Sequence, residues 1–168
     1  MHSIKPLKRD KNLVWLSREH HDALLLVWKI RQGFTLKVEH SRIADYILYI
    51  ADEELENHFL SEEKFVFPEL SVHDGSRVKA EAQHKQLRSF IGGFKQKEFV
   101  TDEKLILFAN LLEEHIRFEE RILFPIIQQQ VSAESLEHIG NSLVEFQKNK
   151  KCLIWKDEFW QKGNSAEN

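Results

Sequence analysis

One phrase is written twice in this chain. Residues 58–68 read His-Phe-Leu-Ser-Glu-Glu-Lys-Phe-Val-Phe-Pro, and residues 115–125 read His-Ile-Arg-Phe-Glu-Glu-Arg-Ile-Leu-Phe-Pro. In each copy a histidine stands four residues before a glutamate, His58 before Glu62 and His115 before Glu119. On a helix that spacing stacks both side chains on one face, within reach of a single cation. Two such helices predict a pair of related helical hairpins, whose pseudo-twofold symmetry sets two half-sites face to face in the core.

The punctuation of the chain agrees with an all-α fold. Its six glycines and three prolines fall between segments of helical period. The first helix is predicted over 11–32, ended by Gly33, and the second over 37–67, stopped by Pro68, with its pattern interrupted near Asp52. Ser76 is a candidate N-cap for a third helix ending at Gly92 and Gly93; Thr101 or Asp102 caps a fourth, ending at Pro125. Four long helices with short connections imply an antiparallel up-down four-helix bundle. The 168 residues suit one domain. Its expected parts are an N-terminal arm (1–10), the bundle (11–130), a short C-terminal helical extension opened by Ser132 and packed on the bundle (131–161), and a disordered tail (162–168).

Helical phase then selects among the nine histidines. His20 lies in line with Leu13, Leu16, Leu24 and Val27. His58 continues the stripe Ile43, Ile47, Ile50 and Glu54 towards Glu62 and Phe65. His84 leads into Leu87, Ile91 and Phe94, and His115 follows Phe108, Leu111 and Leu112 and precedes Glu119 and Ile122. Each helix therefore turns one histidine inward. His20 and His84 lie near helix starts, His58 and His115 near helix ends, and antiparallel packing brings starts level with ends. One layer should hold His20, His58, Glu62, His84, His115 and Glu119. His21, about a quarter-turn from His20, stays open as an alternative ligand or a group beside one. Glu54 is a candidate outer partner, and Glu63 and Glu120 face either solvent or such partners. His2, His40, His73 and His138 fall away from this layer.

Burying several imidazoles and two carboxylates with no cation between them costs several kcal/mol per ion, a large share of a domain's stability. Four nitrogens and two carboxylates exceed the needs of one tetrahedral zinc. They match two metals if both carboxylates bridge. The single cysteine, Cys152, allows neither an internal disulfide nor thiolate ligation. A nitrogen- and oxygen-donor centre with open positions suits iron and a small diatomic ligand or peroxide, although zinc or another divalent metal competes for the same donors. Ferritin-like sites need two Glu-x-x-His motifs; this chain has one, Glu81-Ala-Gln-His84.

Charge and hydropathy narrow the partners. The 24 basic residues are scattered among 27 acidic ones for a net charge of −3, so no nucleic acid is expected. The longest apolar run, Ala23 to Trp28, is far too short to cross a bilayer, and the opening residues lack the apolar region of a signal peptide. The expectation is a cytoplasmic protein with no membrane association. The aromatic segment with Trp155, Phe159 and Trp160 offers a surface for a protein partner or a homodimer, and a regulatory interaction module with a structural metal is the alternative reading.

The segment Leu16-Ser-Arg-Glu-His-His21, the two His-x-x-x-Glu phrases and His84 together resemble the HHE cation-binding family of hemerythrin-like proteins. That resemblance implies a four-helix bundle around a non-haem di-iron centre, oxo- or hydroxo-bridged, with the six residues above as ligands. Two departures bear on function. Oxygen-carrying hemerythrins have a second histidine one turn from that of the third helix, where Ala80 and Arg88 stand here, and an aspartate on the fourth, where Glu119 stands. The more open, carboxylate-rich centre resembles bacterial di-iron proteins linked to iron–sulfur cluster repair and nitrosative stress, and the animal iron- and oxygen-sensing F-box domain, more than an oxygen carrier. The cysteine-containing N-terminal domain usual in the bacterial proteins has no counterpart in this sequence, which argues against repair activity.

Overall fold

The computed structural model describes residues 8–163, and every regular element among them is helical. Residues 1–7 of the expected arm, His2 included, and 164–168 of the expected tail lie outside the described residues. The first long helix is α1 (Val14–Thr35). The second is α2 (His40–Ile50), a π turn (Ala51–Leu55) and α3 (Glu56–Phe65). The third is α4 (Gly75–Lys95). The fourth is α5 (Asp102–Phe118), a second π turn (Glu119–Leu123) and α6 (Phe124–Gln130). A further helix, α7 (Ala133–Phe146), follows.

Local chemistry explains most of these limits. Asp74, two residues ahead of the expected Ser76, is the cap of α4, its carboxylate accepting from the amides of Ser76 and Arg77. Thr101 caps α5 by accepting from the Lys104 amide at 3.3 Å, and Ser132 caps α7 through the Ser135 amide. Gly33 does not end α1. It is a packing glycine, because a Cβ there would lie 2.8 Å from Ile43 Cδ1 and 3.0 Å from Phe159 Cε2.

Pro125 does not end the fourth helix either. The amide of Phe124 bonds to the carbonyl of Glu119, five residues back, which restarts the helix with Pro125 in the first turn of α6. A proline is tolerated there because its missing N–H is not required. The same device lies at the interruption near Asp52, where the amide of Glu56 bonds to the carbonyl of Ala51. A π turn adds a residue to the helical register, so the inward stripe slips by one. Leu123 is fully buried while Ile122, expected to face inward, is 48% exposed.

α1 packs against α5 and α2, and α4 packs against α5 and α2, as neighbours around a four-helix bundle. The core is in two parts. One holds Leu26, Ile30, Ile47, Leu87, Phe94, Phe108 and Leu112; the other, nearer α7, holds Leu16, Phe67, Leu123, Phe124, Ile127 and Leu143. The buried polar residues are concentrated between them. Beyond Phe146 the C-terminal extension is a strap without regular helix. Phe159 is fully buried against α2, Trp155 and Trp160 lie 5.3 and 4.9 Å from the Tyr46 ring, and Asp157 takes a two-pronged hydrogen bond from Arg42. The aromatic segment thus packs on the bundle through Phe159, with Trp155 and Trp160 half-buried. No helix among the described residues is long and apolar enough to cross a membrane.

Candidate metal centre

The six residues selected by helical phase meet in the layer between the two halves of the core. His20 comes from α1, His58 and Glu62 from α3, His84 from α4, His115 from α5, and Glu119 opens the second π turn; all six are buried. His21 is exposed, so of the adjacent pair His20 faces the site. Two sets of donors form, His20, His58, Glu62 and Glu119 on one side, and His84, His115, Glu62 and Glu119 on the other, the donor atoms of each set within 4.8 Å of one another. Both glutamates belong to both sets.

Glu62 shows how the sharing works. Its Oε1 lies 3.2 Å from His58 Nε2 and 3.5 Å from His20 Nε2, while its Oε2 lies 3.3 Å from His84 Nε2. Glu119 spans the layer likewise, with Oε2 at 3.0 Å from His20 Nε2 and 3.3 Å from His115 Nε2, and Oε1 at 3.9 Å from His84 Nε2. Among the described residues, both oxygens of each glutamate and the Nε2 atoms of His20 and His58 are buried with no hydrogen bond. Buried polar atoms are almost always satisfied. Six unsatisfied donor atoms converging on shared points fit cations held between them.

Each imidazole is fixed from behind through Nδ1. His20 meets Glu120 at 2.8 Å, His58 meets Glu19 at 2.9 Å, His84 meets Glu63 at 2.8 Å and His115 meets the Gln83 side-chain oxygen at 3.1 Å. With Nδ1 held outward, each Nε2 is turned into the layer, the orientation a metal requires. Behind three of these acceptors stand cations: Arg9 on Glu120, Arg88 on Glu63 and Lys150 on Glu19. Phe124 stacks on His20 and Phe59 on His84, sealing the imidazoles from water.

Burial and mutual charge shift the groups of the layer in different directions. Burial alone would neutralise Glu62, but His58, His20 and His84 outweigh it and hold the carboxyl well below its usual range. Glu119 moves the other way, to about 7, through burial and the charge of Glu62. Despite burial, the carboxylates raise His20 well above its ordinary value, raise His58 to about 9 and raise His84. His115, buried beside His84, is pushed well below.

Some functional partners escape helical phase. Glu54 does not touch a ligand; its contact is Lys150 at 3.5 Å, which in turn reaches Glu19. Glu63 and Glu120, left between solvent and ligand support, are supports. Glu19 and Gln83 carry a legible signal, since each immediately precedes the histidine of its own helix. Arg9, Arg88 and Lys150 carry none, because they act across the tertiary structure.

A family model described as the hemerythrin HHE cation binding domain matches residues 12–127 of this chain, and that span contains all six donors and their four supports. No curated protein and no solved structure gives a significant match.

Proposed function

The chain belongs to the hemerythrin HHE cation-binding domain family, and from that premise we propose that it holds two iron ions and serves to sense or handle dioxygen, nitric oxide, peroxide or iron itself. His20 and His58 would hold one ion and His84 and His115 the other, with Glu62 and Glu119 contributing to both sets. The observation that carries the two-metal reading is the membership of both carboxylates in both donor sets. A single ion would leave the carboxylate oxygens turned to the other side without a partner in a buried layer.

When bound, iron in such a centre supplies reversible one-electron chemistry and open positions for a small oxidising or diatomic ligand. The chain supplies the rest. Glu120, Glu19, Glu63 and Gln83 orient the imidazoles, and Phe59, Phe67 and Phe124 keep water from the donor layer. A narrow cleft lined by Glu19, Ala23, Glu54, Leu55, His58 and Lys150 ends against the outer side of His58.

Anaerobic loading with ferrous iron, followed by metal analysis and absorption spectroscopy, tests this reading. Two equivalents, and oxo-bridged di-iron bands that appear once oxygen is admitted and change with azide or nitric oxide, support it. One equivalent of zinc in native protein, with a spectrum that stays featureless after iron loading and admission of oxygen, overturns it.

A further inference from the structure

The pseudo-twofold axis relates α1 to α4 and the second helix to the fourth, and it holds down to the groups behind the ligands. Glu120, next after Glu119, supports His20 as Glu63, next after Glu62, supports His84. Glu19, just before His20, supports His58 as Gln83, just before His84, supports His115. Three of the four supports are carboxylates and the fourth is an amide. The symmetry is broken chemically at one pair, Glu19 and Gln83.

The surroundings preserve that difference. Glu19 is 9% exposed at its side chain, and its Oε1 accepts from Gln147 Nε2 at 2.9 Å and lies 3.3 Å from Lys150 Nζ, which leaves Oε2 for His58. Gln83 presents its oxygen to His115 because its amide nitrogen donates to Glu114 at 3.4 Å. A carboxylate at Nδ1 makes an imidazole a stronger donor at Nε2 than an amide does, since it shares more of the Nδ1 proton. The His20/His58 position thus has two strengthened imidazoles, and the His84/His115 position has one.

A second observation points the same way. His84 and His115 hold each other through Nε2 atoms 3.1 Å apart, so a cation between them must part that contact. The Nε2 atoms of His20 and His58 have no hydrogen bond to give up. Resting on the two-metal reading above, we propose that the two positions are unequal: the His20/His58 position binds its ion first and more tightly, the His84/His115 position is the exchangeable one, and Glu19 and Gln83 set the difference.

Cobalt(II), titrated into metal-free protein and followed by calorimetry and visible absorption, reads the two steps separately. Wild type should bind two equivalents in two resolved steps. Glu19→Gln should weaken the first step about tenfold and leave the second in place, whereas Gln83→Glu should tighten the second about tenfold and draw the steps together. His58→Ala should remove the tight step and His115→Ala the weak one, with helicity checked by circular dichroism. Should either alanine variant fail to fold, the near-isosteric exchanges at 19 and 83 decide alone. Two equal steps that neither exchange separates, or a tight step lost in His115→Ala, would overturn the proposal. A single equivalent at saturating cobalt removes the two-metal reading: if it is lost in His58→Ala and kept in His115→Ala the ranking survives, and the reverse pattern overturns both.

Discussion

Oε1 of Glu63 lies 2.8 Å from Nδ1 of His84, so the residue following Glu62 supports an imidazole on the neighbouring helix. Arg88 holds the same carboxylate at 2.6 Å, and Glu63 cannot turn away without breaking both contacts. Glu63→Gln keeps the shape but weakens the acceptor, and supports of this kind are worth 10- to 100-fold in metal affinity. The expected result is a loss of about tenfold or more at the His84/His115 position, measured by competition with a chromophoric chelator, with helicity unchanged.

Metal should also stabilise the fold. A ligand present at about 100 times its dissociation constant contributes about 2.7 kcal/mol per site. Thermal unfolding of loaded wild type should therefore fall by many degrees on addition of a chelator. Glu119→Ala removes a donor common to both sets, so its melting temperature should be insensitive to the same chelator. A chelator-induced drop that persists in Glu119→Ala would show that the stabilising metal lies elsewhere.

Strong acid should loosen two of the supports. Glu63 and Glu120 each have their carboxyl at about 2, because hydrogen bonds from His84 and Arg88, and from His20 and Ser17, outweigh the burial that would raise it. The sign follows from linkage: a carboxyl lowered in the folded state stabilises it fully above the ordinary value near 4.5, and that contribution disappears as pH falls towards 2. For metal-free protein, the melting temperature should decline across that window, and the decline should be shallower in Glu63→Gln. Equal slopes for variant and wild type would remove Glu63 from the account.

Fold class and the convergence of the six candidate residues were both legible because each follows from a period. The doubled phrase located two helix ends, and one inward histidine per helix followed from about 100° of rotation per residue. What escaped depended on events that break the period or act across it. Gly33 resembled a stop because glycine commonly follows a helix, yet only the approach of Ile43 and Phe159 explains it. Pro125 resembled a stop until the π turn placed it at a helix start. Arg9 and Lys150, from opposite ends of the described chain, brace Glu120 and Glu19 through contacts that no local pattern encodes.

The π turn at Glu119–Leu123 makes the last prediction, since it decides which of two adjacent apolar residues supports the site. On an uninterrupted helix Ile122 would share the inward stripe with His115 and Glu119, and Leu123 would be turned away by about 100°. The extra residue in the turn reverses this: Ile122 stands 48% exposed, and Leu123 is fully buried in the same apolar cluster as Phe124, which stacks on His20. Ile122→Lys should then change stability by no more than about 0.5 kcal/mol, the usual range for an open surface position. Leu123→Ala should cost about 2–5 kcal/mol, as a buried leucine truncation does. Urea denaturation of metal-free protein measures both without interference from the ions. The opposite ranking would mean that the fourth helix runs through in plain α register, with Glu119 no longer opening a π turn.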